Sequence, residues 1–402
     1  MLVLYNRPPF PGPPDVVESV RAFARYSAFP VTTINTWFGP HPGLDTQRFR
    51  VIVLHYTLFY DGLAPLTPVL DYLRSRPGDC LVALFQDEQT HGLERARLCE
   101  ELGVDCIYTL LQPPYSHEVY GGLRSTARVV TYIPGYVSER LLRAGRLHSR
   151  PDRLRTIDVG YRGRRAPPEW GPAAAEKYEI AVGFKEHAAG AGLRLDIETD
   201  EAKRIYGSAW YRFLGRCRGT LGVEAGTSTL DLDGELDTAA HSISDRSSAA
   251  RAAAGIKAVG RPMPYRTISP RHLEAASLGA CQILFGGQYS GCLEPDVHYL
   301  PLRKDFSNLG EVLERFRDPT ERQQVVMRAR ADLIESGELS YEGFVRGFDR
   351  ELAELGVRPT PDADRPALDR ALFPSRFRAR RAIRTTRLRS EWQVRHWLGR
   401  DR

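Results

Sequence analysis

Two short segments in the second half of the sequence carry residues that could line a ligand-binding site. Residues 160–165 follow a predicted strand and contain Arg162 and Arg164 beside glycines, so guanidinium forks and a closely approaching backbone could meet phosphate oxygens. Residues 221–228 end another strand with Glu224, followed by small and hydroxyl residues. A solvated basic turn explains the first segment equally well, and a tight turn explains the second.

A third segment, residues 268–276, combines a helix start with charged side chains. Ser269 can cap a helix, the proline after it suits the first turn, and Arg271 and Glu274 follow. Free amides and the positive end of the helix dipole stabilise a nearby anion by about 0.3–1 kcal/mol. The segment therefore suits a nucleotide whose diphosphate lies at the helix start and whose ribose hydroxyls donate to Glu274. By itself it could equally be a capped helix with a surface carboxylate.

The elements that position these segments are predicted from hydrophobic patterning. Short β-branched runs alternate with amphipathic stretches, which is typical of βα units around a parallel sheet. An arginine-rich, proline-punctuated stretch at 145–156 interrupts the pattern, after which it begins again. We predict an α/β protein with domains at residues 1–152 and 153–357 and a tail at 358–402. Predicted strands in the first domain are 2–5, 31–35, 50–56, 80–86, 105–110 and 128–133.

The second domain is predicted to contain a similar alternation. We expect a helix at 172–190, a mobile loop near the site at 236–262, and closing helices at about 309–316, 320–335 and 341–355. Predicted strands are 157–161, 193–197, 219–224, 281–286 and 297–302.

Composition limits the class of protein. The 402 residues are 42% hydrophobic and 26% charged, which is ordinary for a globular chain. No apolar run approaches the roughly 20 residues that cross a bilayer, and the first residues do not read as a secretion signal. Six scattered cysteines lack metal-ligand spacing. We therefore expect a cytoplasmic protein with reduced thiols.

The net charge is concentrated at the carboxyl terminus. Residues 365–402 contain 12 arginines against three acidic residues, giving +9, so the total of +6 leaves −3 for residues 1–364. Residues 376–398 mix arginines with Trp392 and Trp397, which suits an anionic membrane surface. Packing across the two domains explains the segment as well, and nucleic acid is the least favoured partner.

A series of motifs lies between Arg155 and about Leu352. They are residues 157–164, 196–199, 204–207 with Trp210, 221–228, 231–234, 268–271, 274–276, 282–285, 289–291, 298–302 and 304–308. In the order and spacing of these motifs, over about half of the chain, the segment resembles a bacterial family of GT-B glycosyltransferase-like proteins related to spore-maturation and group 1 glycosyltransferases.

This resemblance implies two Rossmann-like domains that face each other across a cleft. The second would hold a nucleotide diphosphate sugar, with Arg162 and Arg164 on the diphosphate and Glu274 on the ribose. Glu274 resembles the second of two glutamates that many retaining relatives carry eight positions apart, and Arg266 stands in place of the first. The remaining residues that we predict to bind the donor are Glu224, Ser269, Arg271, Tyr289 and Ser290.

Neither a cofactor nor a metal ion is expected beyond the donor itself. Asp231 and Asp233 form the D-x-D pattern by which another glycosyltransferase fold holds a divalent cation, but enzymes of the GT-B type need no essential metal. Two aspartates at this spacing are also common by chance, so we interpret them as part of a turn.

The acceptor side is predicted to lie in the first domain, where His55 and the pair Asp87 and Glu88 end strands. A histidine or a carboxylate can take the proton of an acceptor hydroxyl, although a structural role is more common for any single histidine. We predict transfer of a sugar to a glycan, lipid-linked or small-molecule acceptor. The alternatives are a nucleotide-sugar epimerase and a catalytically silent scaffold that uses its basic tail.

Overall fold

A computed structural model describes residues 1–10, 14–41, 43–44, 48–75, 78–122, 127–242, 264–359, 372 and 381–391. Two parallel sheets with flanking helices dominate these residues. They confirm the predicted α/β class and the two Rossmann-like domains. No helix among the described residues is long and apolar enough to cross a membrane.

The first sheet has six parallel strands in the order β2-β1-β3-β5-β6-β7. Its central strands are buried on both faces, which is why they read as continuous apolar runs. The strands of this half are β1 (Leu2–Tyr5), β2 (Thr32–Asn35), β3 (Phe49–Leu54), β4 (Tyr60–Leu63), β5 (Gly78–Leu84), β6 (Cys106–Thr109) and β7 (Arg128–Thr131).

The helices of the first half cover this sheet with amphipathic faces. In the first of them Val16, Val20 and Phe23 are buried, at the spacing expected for one face of a helix. The helices are α1 (Pro14–Tyr26), α2 (Leu70–Arg74), α3 (Gly92–Leu102), α4 (Tyr115–Tyr120) and α5 (Glu139–His148).

The second sheet has five parallel strands in the order β14-β13-β10-β8-β9, and a separate antiparallel pair, β11 and β12, lies beside it. The bounds are β8 (Ile157–Arg162), β9 (Leu195–Glu198), β10 (Cys217–Gly222), β11 (Ala225–Thr227), β12 (Tyr265–Thr267), β13 (Cys281–Phe285) and β14 (Leu300–Leu302).

Helices surround the second sheet, and the last two described helices pack on the first domain instead. Part of the predicted loop at 236–262 is helical, and its residues 243–262 lie outside the described residues. The helices are α6 (Pro172–His187), α7 (Gly207–Leu214), α8 (Glu235–His241), α9 (Pro270–Leu278), α10 (Leu309–Arg317), α11 (Pro319–Arg330), α12 (Tyr341–Glu354) and α13 (381–391).

Helix α12 follows the second sheet in sequence but packs on the first domain. Its Val345, Phe348 and Leu352 belong to the core that surrounds the first sheet. The Phe348 ring meets Phe23 of α1 edge to face, with 5.0 Å between ring centroids. Helix α12 therefore links the second domain to the first by apolar burial.

Both sheets follow the flavodoxin-like strand order when each sheet's strands are numbered along the chain, 2-1-3-4-5 in the second sheet and 2-1-3-4-5-6 in the first. Ligands of such sheets bind at the carboxyl ends of the strands, where the order reverses. In the second sheet this point lies between β8 and β10. The turn at 163–165 and the residues after Gly222 therefore border the crevice.

Candidate functional site

A cavity of about 220 Å³, here called the cationic cavity, opens at this crevice of the second sheet. It is lined by Arg164, Lys177, Arg204 and Arg271, and no described acidic residue lines it. A concave site with four cationic side chains and no carboxylate attracts anions.

Close packing of the backbone brings two of these cations to the crevice. A side chain at Gly163 would come within 2.7 Å of the Tyr161 ring and 2.8 Å of the Lys177 carbonyl oxygen, so the turn needs glycine there. The turn thus passes tightly against α6 and presents Arg164 beside Lys177. Neither side chain donates a hydrogen bond to another residue in the described part of the chain.

The start of α9 provides the opposite wall. The Ser269 side chain accepts from backbone amides of the first turn, and the Ser269 amide donates to Nδ1 of His272 at 3.0 Å. Arg271 stacks over the Trp210 ring, 5.1 Å from its centroid, and donates to the carbonyl oxygen of Arg162. The capping box and the stacking hold Ser269 and Arg271 at the mouth of the cavity.

The electrostatics of the cavity are most visible at Lys177. The pKa of its ammonium group is lowered to about 8, chiefly by burial and also by the nearby Arg271 and Arg164, while Asp87 opposes them. A bound anion would favour the charged form of the lysine. The cavity is therefore positively charged and incompletely compensated.

A buried amide lies in the wall of the same cavity. Gln282 on β13 is 1% exposed, and neither its Nε2 nor its Oε1 has a hydrogen-bond partner among the described residues. An unsatisfied buried amide costs about 1–3 kcal/mol. Gln282 can therefore bond to a ligand or to water that enters the cavity.

A second cavity, of about 870 Å³, adjoins the first and is here called the Glu274 cavity. The two share Arg204, Trp210, Ser269 and Arg271 in their walls. Glu274 accepts a hydrogen bond from the Trp210 indole at 2.7 Å, which holds its carboxylate at the wall.

A third cavity, of about 450 Å³, lies between the domains and is here called the interdomain cavity. Arg164 lines both it and the cationic cavity, so the two meet at this side chain. Other residues in its wall are Tyr60, Asp87, His91, Glu94, Arg95, Trp170 and Asp237.

The structure therefore brings Arg164, Ser269 and Arg271 together around one cavity and places Glu274 next to it. Asp87 lies in the interdomain cavity, where it adopts a left-handed backbone conformation with φ of 54°.

The structure gives Arg162 a different position from the predicted one. Its guanidinium group is buried, donates to the backbone and carboxylate of Asp196 at 2.8 and 2.7 Å, and stacks on Phe213. It therefore joins β8 to β9 and is not part of the cationic cavity, although it borders the Glu274 cavity.

Three other predicted donor residues support the loop after β13 and do not line the cavities described here. Glu224 is buried and accepts from the amide of Tyr289 at 2.8 Å and from Arg266 at 3.1 Å. The buried Tyr289 hydroxyl donates to a backbone carbonyl, and the Ser290 hydroxyl lies 2.9 Å from that of Thr267.

The predicted roles of His55 and Glu88 on the acceptor side are wrong, because both side chains are buried. His55 is fully buried, its ring nitrogens contact Ser19 and Thr57, and burial lowers its pKa to about 3. Glu88 is 1% exposed and accepts three hydrogen bonds, from Thr109, Leu110 and Tyr120. Both are internal structural residues that no acceptor can reach.

The residues that the sequence reasoning missed are Lys177, Gln282, His91 and Asp237. One signal was available for the first, because only five of the 56 basic residues are lysines and Lys177 is the first of them. Gln282 begins the motif at 282–285, to which no role was assigned, and no motif distinguishes His91 and Asp237.

The two aspartates of the D-x-D pattern form the turn before α8. The Asp231 carboxylate accepts the backbone amides of Leu236 and Asp237 at 3.3 and 2.8 Å, and Asp233 accepts from the amide of Glu235. These contacts support the interpretation of the pattern as a turn that caps a helix.

No family model and no curated protein sequence matches the chain. The chain is similar to solved structures. They include an alpha-glucosyltransferase in complex with UDP (8% identity, TM-score 0.49, 88% of this chain and 99% of that one). Another is the Anabaena protein HepE in complex with UDP and glucose (10% identity, TM-score 0.47, 88% and 100%). A third is sucrose-phosphate synthase from Thermosynechococcus elongatus (12% identity, TM-score 0.42, 77% and 74%).

Proposed function

We propose that this protein is a glycosyltransferase that moves a sugar from a nucleoside diphosphate sugar to an acceptor hydroxyl. The observation that carries the proposal is the cationic cavity, which opens between β8 and β10, where the strand order of the second sheet reverses. Four cationic side chains line this cavity, and no described acidic residue does. Two phosphates carry several negative charges, and such a cavity compensates them without a counter-ion.

The three cavities, in which the cationic cavity shares lining residues with each of the other two, suggest how the donor binds. The diphosphate lies against Arg164, Lys177 and Arg271, at the positive end of the α9 dipole. The nucleoside extends into the Glu274 cavity, where the carboxylate accepts from the ribose hydroxyls. The sugar points past Arg164 into the interdomain cavity, since that side chain lines both cavities.

Catalysis on this proposal rests on stabilising the leaving group. As the bond between the sugar and the diphosphate breaks, negative charge grows on the leaving oxygen. Arg164, Lys177 and Arg271 lie where that charge develops, and fixed charges in a partly dry cavity stabilise it more than water does. We propose that the reaction needs no divalent cation, because these side chains supply the positive charge.

The interdomain cavity fits a neutral, hydroxyl-bearing acceptor such as a glycan. Three carboxylates in its wall can accept hydrogen bonds from hydroxyls, and they outnumber its two arginines. The ring of Tyr60 is 48% exposed and offers an apolar face to a sugar ring. An anionic acceptor would be repelled by the carboxylates.

Peripheral contact with a membrane and a cytoplasmic location stay predictions. In the described part of residues 376–398, α13 rests on the first domain. Arg381 stacks on Phe38 at 4.5 Å, and Arg389 donates to the carbonyl oxygen of Pro9 at 3.0 Å. Ile383 is 70% exposed on this helix, so a lipid surface remains our proposal for its outer face.

Nucleotide binding tests the proposal first. Thermal shift and calorimetry with UDP, GDP, ADP and their glucose conjugates, with and without EDTA, should find one saturable nucleotide whose affinity survives EDTA. Arg164→Ala should weaken it about 10- to 100-fold, the value of one lost charge-assisted contact. The neighbouring Arg165→Ala is the matched control, since Arg165 stacks on Tyr178 and lies outside the cationic cavity.

Failure of every nucleotide to bind at millimolar concentration would reject the proposal and favour the silent scaffold. Conversion of the donor sugar without any acceptor, and with no release of the nucleotide, would identify an epimerase instead.

A further inference from the structure

The interdomain cavity contains a histidine that none of the preceding roles uses. His91 lines it together with Glu94 of the same domain and Asp237 of the other domain. Its Nε2 lies 3.2 Å from a carboxylate oxygen of Asp237, and its Nδ1 lies 3.6 Å from one of Glu94. About a third of its side chain is exposed, at 32%, so the imidazole is open to a ligand.

The backbone holds this ring in an unusual position. His91 has a left-handed conformation with φ of 57°, directly before the first residue of α3. Non-glycine residues rarely adopt this conformation, and those that do are often found at functional sites. A side chain at Gly234 would come within 2.2 Å of the His91 ring, so the ring packs directly on the other domain's backbone.

A short strap, formed by backbone hydrogen bonds between the two domains, supports the pair of His91 and Asp237. Residues 89–93 of the first domain exchange backbone hydrogen bonds with residues 231–232 of the second, at 2.8 to 2.9 Å. The strap ends where α8 begins, and the Asp231 carboxylate holds the first amides of that helix. These hydrogen bonds hold α8, and with it Asp237, next to His91.

We propose that His91 is the base that takes the proton from the acceptor hydroxyl, and that Asp237 is its positioning residue. The inference rests on the proposed function. Asp237 accepts from Nε2–H, which leaves the lone pair on Nδ1, as orienting carboxylates do for catalytic histidines. When Nδ1 has taken the proton, Asp237 and Glu94 compensate the charge of the ring.

The step is balanced. The acceptor O–H proton passes to Nδ1 of His91, and the oxygen's electron pair forms the new bond to the anomeric carbon of the donor sugar. The bond from that carbon to the diphosphate oxygen breaks, and its electron pair leaves on the diphosphate beside Arg164. Arg164 lines both cavities, so on this proposal the leaving diphosphate and the base lie on the two sides of this side chain.

The test uses the full chain with UDP-glucose as the first donor probe and methyl glycosides as neutral acceptors. His91→Gln should lower kcat by about 10²- to 10⁴-fold, the usual contribution of a general base. The dissociation constant of the donor should stay within about threefold, because His91 does not line the cationic cavity. Asp237→Asn should cause a smaller loss, and imidazole should restore part of the activity of His91→Ala.

His117→Gln is the control, because His117 is an exposed histidine of α4 that lines none of the three cavities. A His91→Gln variant that turns over at the wild-type rate would overturn this inference and leave the proposed function intact. Wild-type protein that binds no nucleotide, or binds it without transferring sugar to any acceptor, would overturn both. Thermal shift of each variant separates loss of catalysis from loss of folding.

Discussion

Lys177 links the charge of the candidate donor site to a measurable dependence on pH. Its pKa in the free protein is lowered from 10.5 to about 8, chiefly by burial. A lowered pKa means that the neutral lysine is favoured as pH rises above about 8. A bound diphosphate favours the ammonium form, so binding should raise the pKa and take up a proton.

The magnitude follows from these values. If the bound pKa returns to its ordinary value, binding at pH 8 should take up about half a proton, because half of the free protein is already charged. The affinity should then fall about tenfold between pH 7 and pH 9. Calorimetry with UDP in buffers of different ionisation enthalpy measures the proton uptake directly.

Lys177→Arg is the matched variant, because its guanidinium stays charged over this range. The difference between wild type and Lys177→Arg removes any titration of the nucleotide itself. Equal pH profiles for the two proteins, or no proton uptake by wild type at pH 8, would refute the assignment of Lys177 to the diphosphate site.

Three further predictions concern stability. The buried His55 and His272 each have a pKa lowered to about 3, chiefly by burial, so both are neutral in the folded protein near neutral pH. Their contribution to the free energy of unfolding is complete above the unfolded pKa of 6.5 and is lost as the pH falls below it. Urea titration should show a loss of about 2 kcal/mol between pH 6.5 and 5.5, and about half of that loss in His55→Gln. Gln282→Leu should raise the free energy of unfolding by about 1 kcal/mol because it removes an unsatisfied buried amide, and a loss instead would show that the amide has a partner. Arg155 is buried and donates to three backbone carbonyls, so Arg155→Met should lower the unfolding free energy by about 3 kcal/mol; a change below 1 kcal/mol would contradict this account.

Local patterning was sufficient to predict most of the secondary structure. The predicted strands 2–5 and 128–133 and the predicted helix 172–190, for example, correspond to β1, β7 and α6. Such elements bury continuous runs or one helical face, and that requirement is written in the order of the residues. Patterning did not predict β4, β11 and β12, which lie outside the two parallel sheets.

Part of the candidate site was predictable for the same local reason. Arg164 follows a strand, and Ser269 and Arg271 open a helix, so their positions at the crevice follow from the strand–turn–helix pattern. Lys177 and Gln282 lie inside a helix and a strand, where neighbouring residues carry no sign of what they face. Their place in the cavity depends on how α6 and β13 pack against the turn at Gly163.

His55 and His91, both in the first domain, show what the sequence determines and what only the tertiary structure determines. By itself the sequence determined the alternation of strands and helices and the cationic turns at strand ends, because these depend on near neighbours. It could not distinguish His55 from His91, since both follow a strand of the same sheet. Only the tertiary structure buried the first beneath α1 and brought the second to Asp237, a residue 146 positions away on the other domain.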